Sequence, residues 1–184
     1  RTAEEWSVVL RLFGEVGASS DVLEIGCGLG RIAFPLRNVL RNGTYSGFDI
    51  SRDKIDFVTY AYRDPHPNFS FRYVDLLDPY ANPEGTITHA DFEFPYFDQS
   101  FDVVFGTSVW THLLPQYAPR YFAEIKRVLR PGGTVLVSAF LLDNYEPGRS
   151  RPGPYTDARF DIVHEFGDHG ADFAVSNPAN PEMV

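Results

Sequence analysis

The 184-residue sequence carries 16 basic and 25 acidic side chains, for a net charge of -9, with 43% apolar and 15% aromatic content. That length and apolar share suit one globular domain with a real core, and the negative charge opposes the counterion-release binding that nucleic acids and anionic membranes favour, so neither is expected as a partner. The single cysteine, Cys27, excludes an intramolecular disulfide, the N-terminus has no basic-then-apolar leader, and no apolar run reaches the roughly 20 residues that span a bilayer; a reducing, cytoplasmic setting is expected.

In chain order, "TAEEWSVVLRLFG" predicts a helix with a capping box from Thr2 and Glu5, with Trp6, Val9, Leu10 and Phe13 at helical spacing and an end near Gly14. "VLEIG" reads as a buried strand that runs into a turn with Gly26, Gly28 and Gly30. "RIAFPLRNVLRNG" is expected to be a helix with Pro35 early in it and Gly43 at its end. "TYSGFD" is a second strand, followed by a helix with Ser51 as N-cap, Ile55, Val58, Thr59 and Tyr62 on one face, and a stop at Asp64-Pro65-His66-Pro67. The sequons at Asn42 and Asn68 are read as turn chemistry.

"FSFRYVD" and "FDVVFGT" predict the third and fourth strands, with a long connection containing Pro and Gly between them. "PRYFAEIKRVLR" predicts a helix with Phe122, Ile125 and Leu129 inward, closed by Pro131-Gly132-Gly133 before the strand "TVLVSAFLL". Strands alternating with helices imply an α/β fold with a Rossmann-like, doubly wound, mostly parallel sheet in three α/β/α layers. The core is expected over 20–142 of a single 1–184 domain, with 143–184 as a lid or a truncated remainder holding one short strand near Phe160 to His164.

A strand that enters a glycine turn and then a helix is a nucleotide-binding unit, because bare backbone lets a ligand approach the first N-H groups of the helix. The third glycine of the dinucleotide fingerprint is replaced by Arg31, and Glu24 puts a carboxylate beside the turn. These two residues argue against an NAD-dependent oxidoreductase. Glu24, Asp49 and Asp75 close three successive strands, a pattern suited to a nucleoside whose tail carries an amine and no phosphate.

In this order and spacing, "VLEIGCGLGR", "YSGFDIS", "FPYFDQSFDVVFGTSVWTHL" and "YFAEIKRVLRPGGTVLVS" make the chain resemble the class I S-adenosylmethionine-dependent methyltransferases. The resemblance implies S-adenosyl-L-methionine as cofactor and a small-molecule methyl acceptor. It also implies Gly26, Cys27, Gly28 and Gly30, with Arg31 closing the loop, against the methionine end, and Glu24 holding the amino group through the loop or water. Asp49 would take the ribose hydroxyls, Ile50 would pack on the adenine, Asp75 and Leu76 would bracket it, and Gly106 and Thr107 would close the sulfonium side. The stretch "LLDPYANPEGTITHADFEFPYFDQS" is longer than the family's usual connection, so Asp91 competes with Asp75 at the adenine, and Asp75 is preferred because a strand feeds it directly. The resemblance also implies a seven-stranded sheet, of which the last two strands have no convincing counterpart; truncation at the C-terminus is expected.

Methyl transfer from a sulfonium needs orientation more than acid-base help, and no metal. His112 in "SVWTHLLP" is the candidate base, with helix capping or a structural hydrogen bond as its plainer reading. Cys27 is read as a small loop residue, not a nucleophile, and His164 and His169 lie five apart with Gly167 between them, a poor zinc spacing. Trp110, Tyr96, Tyr145 and Tyr155 fit core, lid or acceptor-pocket positions alike. The competing function is a SAM-binding domain without catalysis that serves as a regulatory or partner module. Oligomeric state is left open.

Overall fold

The computed structural model describes residues 2–79 and 81–139. Five strands form one sheet in the order β3-β2-β1-β4-β5: β1 Val22–Ile25, β2 Tyr45–Asp49, β3 Phe69–Tyr73, β4 Phe101–Gly106 and β5 Leu129–Val137. All four neighbour pairs are parallel, as the doubly wound expectation requires. A parallel sheet must be covered on both faces, and alternation along the strands feeds two cores. Val22, Tyr45, Val103 and Phe105 face one side with Leu10, Leu36 and Val58. Leu23, Ile25, Phe48 and Val104 face the other with Phe92, Ile125 and Val128. The residues expected beyond the fifth strand, including the strand near Phe160, both C-terminal histidines, Tyr145 and Tyr155, lie outside the described residues.

Helix α1, Ala3–Phe13, opens with the expected box: Glu5 N-H donates to Thr2 Oγ1 at 3.2 Å and Thr2 N-H to Glu5 Oε2 at 2.8 Å. Its buried stripe is Trp6, Ser7 and Leu10. Phe13 is exposed, and Val16, turned back by a bond from its N-H to Leu10 O, is buried in its stead.

The segment after the glycine turn differs most from the sequence reading. Helix α2 covers only Ala33–Leu36. Pro35 has no N-H for the ladder, and beyond it three-residue bonds, Asn38 N-H to Pro35 O and Val39 N-H to Leu36 O, mix with one four-residue bond, Leu40 N-H to Leu36 O. Leu36 and Leu40 are still buried. Asn68 does act as turn chemistry, its Nδ2 donating to Leu40 O and Gly43 O.

Helix α3, Arg52–Tyr62, buries Ile55, Val58 and Tyr62, leaves Thr59 exposed, and has no side-chain bond from Ser51 at its cap. Helix α4, Ala118–Val128, turns Tyr121, Glu124, Ile125 and Val128 inward, with Phe122 exposed. Leu129 already belongs to β5, pairing with Phe101, and Pro131-Gly132-Gly133 forms a bulge within that strand. At the N-terminal ends of the strands, Arg130 donates to Asp102 and Asp21, each at 2.8 Å. Asp21 also accepts from Thr44 and so ties β1, β2, β4 and β5 together.

Candidate functional site

The strand order reverses between β1 and β4, and in open α/β sheets ligands bind beyond the carboxyl ends at such a point. Register brings Ile25 level with Phe48 and Gly106 there. The glycine turn leaves β1 with both Gly26 N-H and Cys27 N-H donating to Phe48 O. Gly30, at φ +72°, has no room for a side chain, since a Cβ would sit 2.7 Å from Val58 Cγ2. Gly28, at φ +52°, is different. A Cβ there would meet nothing nearer than Asp49 Oδ2 at 4.0 Å, so its bare backbone borders open space.

Asp49 joins this turn to α3. Its Oδ2 accepts from Gly28 N-H at 2.8 Å and its Oδ1 from Ser51 N-H at 2.9 Å. A carboxylate offers about four acceptor positions, so these bonds leave each oxygen able to take another donor. Ile50 follows, half-buried, in the wall of a pocket of about 400 Å3 whose other residues include Arg52, Tyr73, Asp75, Asn82 and Glu84.

Glu24 is buried beneath the turn and accepts a hydrogen bond from the Tyr45 hydroxyl. Burial pushes its pKa up to about 8, against the opposing pull of Tyr45 and Arg31. Cys27 is buried too, and desolvation raises its thiol far above the ordinary range, which makes it inert. Arg31 is exposed.

On the far side of the switch point, Gly106 lies under the Trp110 ring: a Cβ would be 2.7 Å from Trp110 Cζ3. Thr107 is half-buried, and His112 is exposed in the turn that follows. That turn is held against the glycine loop, because Val109 Cγ2 lies 2.9 Å from where a Gly26 Cβ would stand, and His112 N-H donates to Val109 O at 3.0 Å. Among the described residues the buried Trp110 Nε1 has no partner.

Asp75 lies in the pocket wall, whereas Asp91 is exposed and accepts from the Thr88 hydroxyl at 2.6 Å. Leu76 is buried and bridges to Ile87. Sequence reasoning passed over Tyr45, Tyr73, Asn82 and Thr86. The last two sit in the long connection, where only the Asn-Pro and Gly of "YANPEG" signalled a compact turn.

A glycine-turn α/β sheet with acidic strand ends at its switch point defines a nucleoside-binding domain of the class I S-adenosylmethionine-dependent methyltransferase type. Residues 23–137 match the model of the family described as "Methyltransferase domain", and the chain belongs to that family. It is 31% identical to a fatty-acid O-methyltransferase of Mycolicibacterium smegmatis over 69% of this chain and 41% of the relative. It is 33% identical to phthiotriol/phenolphthiotriol dimycocerosates methyltransferase 1 of Mycobacterium ulcerans over 62% of this chain and 35% of the relative. The chain thus spans about two fifths or less of the length of these relatives.

Among solved structures, an S-adenosylmethionine-dependent methyltransferase from Mesorhizobium loti superposes with a TM-score of 0.53 at 19% identity, over 72% of this chain and 52% of that one. The cyclase SpnF superposes with a TM-score of 0.55 at 20% identity, over 73% and 43%. A cyclase on the same scaffold shows that the fold alone does not set the reaction.

S-adenosylmethionine is the cofactor this family and fold imply, and the residues present fit it. The cradle beside Gly28 is one that a Cβ would fill, and Asp49, which already accepts one N-H on each oxygen, keeps acceptor capacity on both for ribose hydroxyls.

Proposed function

We propose that the protein transfers a methyl group from S-adenosylmethionine to a small-molecule acceptor. The observation that carries this reading is the pairing of Gly28, open to the site, with Asp49, whose carboxylate has capacity for two ribose hydroxyls. In this reading Gly26, Cys27, Gly28 and Gly30, with Arg31 at the end of the turn, bound the methionine end, and Glu24 supports the loop from below. Ile50 flanks the base, the buried Leu76 packs in the core next to Asp75 without lining the pocket, and Gly106 and Thr107 bound the side where sulfur would lie. When bound, S-adenosylmethionine would supply an electrophilic methyl carbon, with its sulfur as the leaving group that keeps the electron pair.

The chain's own work is then to align the acceptor and to exclude water. His112, on the turn packed against the glycine loop, takes the proton that a hydroxyl acceptor must lose. The named relatives point to lipid-like acceptors as the first class to try, long-chain acids and alcohols among them. One buried thiol and the net charge of -9 support a cytoplasmic setting without nucleic acid.

Calorimetric titration with S-adenosylhomocysteine tests the reading. Micromolar affinity is expected, together with methylation of a member of an acid and alcohol panel. Affinity for NAD alone would overturn it, and binding without turnover on any acceptor would favour a non-catalytic module.

A further inference from the structure

Asp75 has little left to offer a ligand. Its Oδ1 accepts from the Tyr73 hydroxyl at 2.7 Å and from Asn82 Nδ2 at 3.2 Å. Its Oδ2 accepts from the Thr86 hydroxyl at 2.7 Å and from Thr86 N-H at 3.3 Å. One hydroxyl at 2.7 Å holds each oxygen, and the longer bonds from Asn82 Nδ2 and Thr86 N-H, whose hydrogens are shared with other acceptors, crowd the remaining positions of the carboxylate, in contrast to the two bonds on Asp49. These donors, led by Thr86, also hold the carboxyl ionised, its pKa drawn down to about 2.

Asn82 is arranged the opposite way. Its Nδ2 donates to Tyr73 Oη at 3.0 Å, to Asp75 Oδ1 at 3.2 Å and to Leu76 O at 3.0 Å. Two N-H hydrogens facing three acceptors, one hydrogen shared between two of them, fix which way the amide faces. No hydrogen bond from the described residues falls on its Oδ1, and Asn82 lines the pocket that begins at Ile50.

We propose that Asn82, presented by the fold-back of residues 81–88, reads the exocyclic amino group of the bound nucleobase, and that Asp75 is the positioning residue that holds it there. The inference rests on the reading of this site as one for S-adenosylmethionine. The remaining walls suit a flat base: Ile50 offers an apolar face, and Arg52 stacks on Tyr73 with its guanidinium carbon 3.8 Å from the ring centroid. The fold-back itself is tightly built. Asp78 and Asn82 exchange backbone bonds at 3.1 Å, Thr86 N-H and Ile87 N-H both donate to Asp75 O, and a Cβ at Gly85 would lie 2.4 Å from Leu76 O. An amide oxygen held this way accepts from the amine of adenine and opposes the carbonyl that replaces it in hypoxanthine.

The test compares the affinities of S-adenosylhomocysteine and S-inosylhomocysteine by calorimetry. Wild type should prefer the adenine ligand by about tenfold or more, since a site built to pair a polar group rejects the analogue lacking it. In Asn82→Ala the preference should fall below about threefold. Thr86→Val keeps Asn82 but frees one oxygen of Asp75; the preference should fall several-fold there as the amide loosens, whereas a preference that holds or rises would mark Asp75 as the reader and overturn the proposal. Equal affinities in wild type, or an Asn82→Ala variant that keeps the preference, would overturn it as well. If Asn82→Ala does not fold, the wild-type and Thr86→Val arms decide. Failure of wild type to bind either ligand sinks the cofactor reading together with this inference, while binding without discrimination sinks the inference alone.

Discussion

Asp49 Oδ2 accepts the N-H of Gly28 at 2.8 Å, so the end of β2 holds the glycine turn of β1 in place before any ligand arrives. The same carboxylate takes Ser51 N-H at the start of α3, where a serine cap was expected from the sequence. One side chain therefore links strand, loop and helix and keeps acceptor capacity for a ligand. Pre-organisation of this kind lowers the ordering cost of binding.

Gly28→Ala tests that arrangement. The backbone there has φ +52°, so an alanine is strained by about 1 kcal/mol, and its methyl enters the open space beside Asp49. The variant should stay folded, with its melting temperature down by roughly 2–4 °C, while S-adenosylhomocysteine affinity drops at least about tenfold. Unchanged affinity would show that the ligand does not approach this backbone.

Glu24 gives the protein a pH dependence of unusual sign. In the folded chain its pKa is raised to about 8 from the model-peptide value of 4.5. Between those values the unfolded chain has released a proton that the folded chain retains, so stability falls as pH rises. Glu24→Gln mimics the protonated form and lacks this loss. The stability of Glu24→Gln relative to wild type, from urea unfolding, should climb by a few kcal/mol, to order of magnitude, between about pH 5 and pH 8. A difference that stays constant with pH would show that Glu24 is ionised in the fold.

Why some of this was readable and some not comes down to how local each signal is. The capping box of Thr2 and Glu5 involves contacts three residues apart and is visible in the sequence. So are β1 and its glycines, since all four residues of Val22–Ile25 are buried and an apolar run is enough to mark them. The end of α2 at Leu36, short of the expected Gly43, has no local mark because Leu36, Val39 and Leu40 keep apolar spacing where three-residue bonds interrupt the α-helical ladder. The inward face of α4 was misread because a buried Glu124 looks like a surface residue until Phe94 and Arg127 are seen around it. Asp75 was recognised as important, yet its saturation depends on donors at 73, 82 and 86, which meet only after the chain folds back.

His112 is exposed on a turn that Val109 presses against Gly26, so its removal should leave cofactor binding alone and slow only the proton transfer. For a hydroxyl acceptor found in the panel, His112→Ala should lower kcat by about 10²-fold, with S-adenosylhomocysteine affinity within about twofold of wild type. A carboxylate acceptor carries no proton to lose, and on such a substrate the same variant should turn over nearly as fast as wild type. Equal kcat on a hydroxyl acceptor would remove His112 from the chemistry and leave it as a turn residue.

Glu124 joins α4 to the connection that roofs one core. Its carboxylate accepts Phe94 N-H at 2.8 Å and Arg127 Nη2 at 2.6 Å, while Arg127 also reaches Phe94 O, Tyr96 O and Asp98. Phe94 in turn packs on Phe48, which precedes Asp49 in β2. Glu124→Ala leaves a buried N-H unpaired and strips Arg127 of its nearest counter-charge, at a cost of about 2–4 kcal/mol. The melting temperature should fall by roughly 5–15 °C. Arg127 holds the Glu124 pKa below its usual value against the desolvation that raises it, so this stabilisation is present above the unfolded pKa and is lost as pH falls through the lowered one. The melting-temperature gap between wild type and variant should therefore narrow as pH falls below the ordinary glutamate range, and a gap that does not narrow on acidification would mean that packing, not the ion pair, carries the effect.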